Sequence, residues 1–242
     1  MKLYVYCLAE GVDALPEPVN GVSGAPVRLL KTEDLSVLVS DLNADAVPVT
    51  RENALGHAAV VRSILDRTTP LPFRFGTLVT EQQLRNYVAA RKPALETKLA
   101  LVRGCVEMSV KIIWELSGIE QPEPVESDQD NKQGAGATFL TEKRREILGG
   151  ELMEEEAADI STWLHETVGG LIRSEQVSLR PAEKLVLSAA HLVERDKIRQ
   201  YREKISEARK DRPKLHFLLS GPWPPYSFAN IELEFKTPFG VS

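Results

Sequence analysis

Near its C-terminal end the chain reads Gly221-Pro222-Trp223-Pro224-Pro225-Tyr226-Ser227-Phe228, a segment called the octet below. Its three prolines fix the backbone and lack an N–H donor, so the octet is predicted to end any helix or central strand that reaches it. Trp223, Tyr226 and Phe228 each stabilise a fold by about 1.5–3 kcal/mol when buried. Because proline has little conformational freedom to lose, we expect a stiff aromatic corner docked on the protein's own body. Direct contact with a partner is the alternative.

The composition is that of an ordinary globular protein. With 242 residues, 43% of them hydrophobic, the chain can form one large domain or two small ones, each with its own core. The formal net charge of −5 gives no reason to expect nucleic acid or an anionic lipid membrane as a partner. No apolar run reaches the roughly 18 residues of a membrane span, and the N-terminus has no signal-peptide pattern. We therefore expect a cytoplasmic protein in which Cys7 and Cys105 are small buried hydrophobes.

Residues 1–116 are predicted to form an N-terminal α+β domain. The predicted elements are strands at 3–9, 27–30 and 35–42, a helix from about 48 to 67, an extended element at 70–79, a helix from 80 to 103 and a strand at 106–115. An antiparallel sheet with helices on one face is the economical way to bury this order, and we expect a ferredoxin-like arrangement with an extra strand.

Three local patterns support these elements. In the first helix the apolar positions have helical spacing, namely Leu55, Ala58, Val61 and Leu65. In the second helix, Thr80 with Gln83 predicts a capping box, and Pro93 is expected to kink or divide the helix. In the last strand Val106, Met108, Val110, Ile112 and Trp114 alternate with Glu107, Ser109, Lys111 and Glu115, which predicts one apolar and one polar face.

Residues 117–138 are acidic, rich in Pro, Gly, Gln and Ser, and predicted to be a linker or disordered loop. Residues 139–242 are predicted to be a C-terminal α+β domain with a tail. Its expected elements are a long helix from 141, strands near 175–179 and 183–193, a helix at about 195–210, and a strand at 215–219 before the octet. The alternating tail at 230–236 is a further candidate strand. Each domain is therefore expected to be ferredoxin-like or a variant of that fold, with an antiparallel sheet covered by helices.

Chemistry-bearing motifs are scarce. The chain has no phosphate-binding loop, no nucleophile elbow and no cysteine pair at metal spacing, so no catalytic, cofactor or metal site is predicted. The four histidines, His57, His165, His191 and His216, are far apart in sequence, and each is expected to be structural. Residues 71–77, Leu-Pro-Phe-Arg-Phe-Gly-Thr, place Arg74 between Phe73 and Phe75. In a strand, both phenylalanines face the core, and Arg74 points away to pair with a carboxylate of the protein or of a partner.

Residues 71–77 and the octet, with the opening Leu3-Tyr4-Val5-Tyr6, resemble the gas vesicle accessory proteins of the F/L type. The resemblance extends over nearly the whole chain, and the linker is the least similar part. It implies two α+β domains and a minor, non-enzymatic component of gas vesicles, the gas-filled protein compartments that give bacteria buoyancy. It also implies that the protein associates with the vesicle. The resemblance further implies that the protein binds the hydrophobic shell protein and other accessory proteins there, assists nucleation and limits aggregation of the shell protein.

Partner contact is predicted at Phe73, Arg74, Phe75, Trp223 and Tyr226, because a soluble partner must cover the apolar face or strand edge of a shell subunit until assembly. Two other function classes stay open. One is an enzyme that gathers His57, Arg74 and an acid in a pocket. The other is a regulatory sensor that binds a small ligand between paired ferredoxin-like domains.

Overall fold

A computed structural model describes residues 1–15, 17–32, 34–114, 154–180, 185–229 and 231. The chain forms two compact units. Unit 1 comprises Met1–Met108, Leu192–Asp196 and Gly221–Ser242, and unit 2 comprises Ser109–His191 and Lys197–Ser220. The predicted linker at 117–138 lies outside the described residues, and the predicted division into 1–116 and 139–242 stays a prediction.

The first sheet is built around the N-terminal strand. Its strands are β1 (Lys2–Glu10), β2 (Val27–Thr32), β3 (Leu35–Leu42), β4 (Leu71–Pro72) and β5 (Leu78–Val79). The strand order is β2-β3-β1-β4, β5 also pairs with β1, and every pair is antiparallel. Residues 3–9 of β1 are buried on both faces, as their continuous apolar run predicts.

Two helices accompany this sheet. Helix α1 (Arg51–Ser63) begins at Thr50, whose hydroxyl accepts from the Asn53 N–H, and α2 (Glu81–Val102) begins with the predicted capping box. The predicted apolar stripe of α1 is half correct: Val61 and, just beyond the helix, Leu65 are buried, whereas Leu55 and Ala58 are exposed. The buried face of α1 consists of Asn53, His57, Val60 and Val61. The first two are polar, and pattern analysis does not count polar residues as core. Pro93 does not divide α2, which continues through it.

The second sheet has the order β7-β8-β6-β9. Its strands are β6 (Cys105–Trp114), β7 (Ile172–Arg180), β8 (Leu185–Glu194) and β9 (His216–Trp223). Helix α3 covers the described residues 154–168, and α4 (Ile198–Asp211) buries Tyr201, Ile205 and Ala208. These sheets confirm the predicted class, an α+β protein with two antiparallel sheets flanked by helices, whereas the ferredoxin-like detail is not confirmed.

The octet is the main correction to the predicted fold. Its first three residues continue β9 as far as Trp223, and its last three begin the short helix α5 (Tyr226–Ala229). A strand can include Pro222 because β9 ends the order of the described strands in its sheet, and proline is tolerated in edge strands.

Three smaller observations complete the fold. Cys7 and Cys105 are buried, as predicted. Within the tail, Ile231 forms an isolated parallel bridge with Phe73, and the predicted strand at 232–236 lies outside the described residues. None of the helices in the described ranges is long and apolar enough to cross a membrane.

Candidate functional site

The octet begins against the backbone of β6. Gly221 has φ +120°, and a Cβ atom placed on it would lie 2.8 Å from the Glu107 carbonyl oxygen and 2.9 Å from Met108 Sδ. Any other residue would be strained in this conformation and would collide with the strand. Glycine therefore allows the octet to lie directly on β6.

A second contact holds the other end of the octet to the same strand. The Ser227 N–H donates to Glu107 Oε2 at 2.7 Å, and the Ser227 hydroxyl donates to Glu107 Oε1 at 2.9 Å. Glu107, expected on the polar face of its strand, is only 7% exposed. Burial raises the pKa of the Glu107 carboxyl, and the two hydrogen bonds from Ser227 partly oppose this shift. The octet is thus fastened to Glu107 and its neighbour at both ends.

Two aromatic rings lie at the surface between these contacts. Trp223 is 40% exposed and Tyr226 is 41% exposed. The Arg62 guanidinium lies 5.7 Å from the centre of the Trp223 ring, a cation–π distance. Burial at the hydroxyl end of Tyr226 raises its pKa to about 12, with smaller contributions from Cys7, Glu107 and Tyr4. Tyr226 therefore stays neutral at physiological pH while part of its surface remains accessible.

The third aromatic residue docks the octet on unit 1. Phe228 is buried, and the carbonyl oxygen of the next residue, Ala229, accepts a hydrogen bond of 2.8 Å from Lys98 Nζ. Helix α5 packs against β4 and α2. The expected docking on the protein's own body is therefore correct for Phe228, whereas Trp223 and Tyr226 remain at the surface.

The other predicted segment, residues 71–77, contains a turn that interrupts the predicted extended element. Thr77 donates to the Arg74 carbonyl oxygen through its N–H at 3.3 Å and its hydroxyl at 2.7 Å, and Gly76 has φ +87°. After this turn the chain continues in the same direction, because β4 and β5 both pair antiparallel with β1. At this turn Arg74 is exposed and Phe75 is half-buried, whereas Phe73 is 1% exposed and packs near Tyr87. Phe73 is thus a core residue, and Arg74 and Phe75 form the accessible part.

Buried polar groups fasten this turn to the first sheet. The Tyr4 hydroxyl accepts from the Gly76 N–H at 3.1 Å and lies 2.9 Å from His57 Nδ1. Burial lowers the pKa of His57 to about 4, and the Phe73 backbone partly opposes this shift. Within the described residues, His57 Nε2 has no hydrogen bond of ordinary geometry. His57 is therefore a neutral structural residue.

The two segments meet in unit 1. Phe73, at the start of the turn, bridges to Ile231, which follows the octet, and α5 packs against β4. The fold thus brings together two stretches that are about 150 residues apart in sequence. The resulting candidate surface consists of the exposed parts of Arg74, Phe75, Trp223 and Tyr226.

The residues of the enzyme hypothesis have different environments. The His57 ring is 4% exposed, and its neighbours are the rings of Tyr4, Tyr6 and Phe75 at 5.6–5.9 Å between centres. Arg74 is exposed to solvent. A histidine enclosed in this way cannot reach a substrate, so His57 and Arg74 do not share a reactive cleft.

In unit 2, His191 is also buried, and its Nδ1 lies 2.6 Å from the Tyr201 hydroxyl. Glu175 lies between two histidines, 2.8 Å from His165 Nδ1 and 3.7 Å from His191 Nε2. Burial, followed by the charge of His165, lowers the pKa of His191 to about 4. Among the residues that the structure describes, no three His, Cys, Asp or Glu side chains are placed to share a metal ion.

The family described as gas vesicle synthesis protein GvpL/GvpF matches residues 2–230. The chain belongs to this GvpL/GvpF family. The predicted resemblance is therefore confirmed, and family membership supports an accessory role in gas vesicles.

Relatives and solved structures of the family agree over nearly the full length. Gas vesicle protein L of Streptomyces sp. (strain CB03234) is 28% identical, over 96% of this chain and 94% of the relative. Gas vesicle protein F1 of Halobacterium salinarum is 26% identical, over 96% of this chain and 94% of the relative. The crystal structure of the gas vesicle protein GvpF from Anabaena sp. PCC7120 matches with a TM-score of 0.78 at 18% identity, covering 96% of this chain and 99% of that chain. At 18% identity, the match to the crystal structure is evidence for a shared fold.

Sequence reasoning missed the residues that hold this family member's surface in place. Glu107, Ser227 and Tyr4 were not candidates, because a lone carboxylate in an alternating strand indicates a solvated face. Their partners are between 72 and 120 residues away along the chain. Only Gly221 and Gly76 gave a usable signal, since a glycine beside an aromatic cluster often marks close backbone approach or a left-handed turn.

Proposed function

We propose that this protein is a minor structural and accessory component of gas vesicles that binds the hydrophobic shell protein, assists nucleation and limits shell-protein aggregation. It acts by surface complementarity and not by catalysis. Its partners are the major shell protein and other accessory proteins, and it works in the cytoplasm on the growing vesicle. Family membership supports the gas vesicle setting.

The presentation of Trp223 and Tyr226 carries this proposal. Large aromatic side chains are enriched among the residues that dominate binding energy, because they bury much area with few rotatable bonds. Here the segment that bears them contains three prolines and is held at Gly221 and Ser227. The conformational entropy of this surface is therefore lost when the protein folds. Because binding does not have to order the surface again, affinity is favoured.

The turn beside the octet adds a polar contact to this surface. Arg74 is exposed at the tip of a turn whose position is fixed by Tyr4. A guanidinium at this position suits a carboxylate on the partner, which provides orientation in addition to apolar area. The proposed site therefore combines two half-exposed aromatic rings with one cation.

The test is a Trp223→Ala/Tyr226→Ala double variant. We expect its affinity for purified shell protein, measured by co-purification and by suppression of light scattering from aggregating shell protein, to fall at least tenfold, as at an interface hot spot. Circular dichroism should show a folded protein. The matched control is Leu218→Ala, which removes an exposed apolar side chain from β9 and should bind normally. A folded double variant that binds as well as the wild type would refute this site.

A further inference from the structure

Strand β7 is a terminal strand of the second sheet, with exposed apolar residues. It ends the order β7-β8-β6-β9 among the described strands, and residues 176–179 are all exposed. Val177 is 40% exposed and Leu179 is 41% exposed. They are two residues apart in an extended strand, so both side chains lie on the same face.

This edge has few of the features that prevent strand pairing. Natural edge strands are usually short or carry proline, lysine or inward charges. Strand β7 has nine residues, Ile172–Arg180, and contains neither proline nor lysine; its two arginines, Arg173 and Arg180, lie outside residues 176–179. The acidic residue within it, Glu175, is engaged by His165 Nδ1 at 2.8 Å. The exposed part, residues 176–179, carries no charge and lies on the outermost strand of the described sheet.

We propose that β7 pairs antiparallel with β7 of a second copy of this chain, about a two-fold axis at Ser178. In this register Val177 of each chain lies opposite Leu179 of the other, so both exposed apolar side chains gain an apolar cross-strand neighbour. An axis at Gln176 would place Val177 opposite Glu175, and an axis at Val177 would place Leu179 opposite Glu175. The self-complementary order Val-Ser-Leu therefore selects the axis at Ser178.

The interface is small, with about five paired residues on each chain. Such an interface lies well below the roughly 1,000 Å² of a stable complex. Association is therefore weak and depends on concentration, and is favoured where many copies share one surface. This inference does not depend on the shell-binding site, because β7 belongs to unit 2 and the octet to unit 1.

Disulfide trapping tests the register directly. Opposed residues on an antiparallel pair have Cα atoms about 4.5–5.5 Å apart, which is within the roughly 4.4–6.8 Å that a disulfide spans. Ser178→Cys should therefore form a covalent dimer under mild oxidation. Gln176→Cys is the matched control. In this register the two copies of residue 176 are offset by four residues along the strands, so they lie about 13 Å apart. The native thiols of Cys7 and Cys105 are buried and should not compete.

Sedimentation of the full chain at increasing concentration tests the pairing itself. We expect the wild type to approach a dimer, and Val177→Lys/Leu179→Lys to raise the dimer dissociation constant at least tenfold, because facing lysines repel. Leu218→Lys, on the opposite terminal strand β9, should leave the constant unchanged. A wild type that stays monomeric at all concentrations overturns the proposal. The proposal is also overturned if Ser178→Cys and Gln176→Cys form covalent dimers equally well. It is overturned too if Leu218→Lys raises the dimer dissociation constant as much as Val177→Lys/Leu179→Lys does.

Discussion

The octet and the turn at residues 74–77 are both short glycine-containing segments at the surface of unit 1, yet they are held in different ways. The octet lies directly on the β6 backbone at Gly221 and is fastened by the carboxylate of Glu107. The turn has open space around Gly76 and is fastened by the neutral Tyr4–His57 pair. The comparison shows that one surface can combine a segment whose glycine packs against backbone with a segment whose glycine has open space around it. The two should respond differently to added volume and to pH.

The largest expected difference is between the two glycines. Gly221→Ala should destabilise the protein by about 3–5 kcal/mol, because it combines a strained positive φ with a collision against backbone. Gly76→Ala should cost about 1–2 kcal/mol, because its Cβ meets nothing and only the left-handed conformation is penalised. Urea unfolding followed by circular dichroism gives both values. Equal costs would show that the octet does not lie against β6 as described.

Acid should weaken the turn through His57. Its pKa is about 4 in the folded state and 6.5 as a free side chain, so the unfolded chain binds the proton more readily between these values. Stability is therefore lost as the pH falls from 6.5 towards 4, by up to about 3 kcal/mol. His57→Gln removes this dependence.

We accordingly expect the free-energy difference between the wild type and His57→Gln to narrow by about 3 kcal/mol from pH 7 to pH 4. Chemical denaturation at a series of pH values measures this difference. A difference that is constant with pH would contradict the burial of a neutral imidazole beneath the turn.

Acid should have the opposite effect on the octet. The folded-state pKa of Glu107 is raised, so the native protein binds this proton more readily than the unfolded chain, and stability rises as the pH falls through the raised value. Glu107→Gln should stay within about 1 kcal/mol of the wild type at neutral pH, since the amide can accept from the Ser227 N–H and donate to its hydroxyl. Glu107→Ala should cost about 1–3 kcal/mol, because it leaves that N–H without an acceptor.

Urea unfolding of the two Glu107 variants at pH 7 and pH 5 separates these effects. Relative to Glu107→Gln, the wild type should become more stable at the lower pH. If Glu107→Gln and Glu107→Ala lower the free energy of unfolding equally at pH 7, the contact with Ser227 depends on the charge of Glu107 and not on hydrogen-bond geometry.

Several elements could be predicted from the sequence for local physical reasons. The Thr80–Gln83 capping box and the apolar run of β1 each depend on neighbouring residues, and each is confirmed. The resemblance carried by residues 71–77 and the octet also led to the correct family. The buried face of α1 was not predictable, because Asn53 and His57 are buried through partners on distant segments, including the Ser23 N–H and the Tyr4 hydroxyl.

The sequence by itself therefore determined the element types, the α+β class, the buried cysteines and the two segments that matter for the family. Only the tertiary structure decided that Trp223 and Tyr226 are half-exposed and that the buried carboxylate of Glu107 holds Ser227. Periodicity reports which side of an element is apolar. It cannot report which polar side chain will meet a donor from a strand or helix 120 residues away, because that contact exists only once the chain has folded.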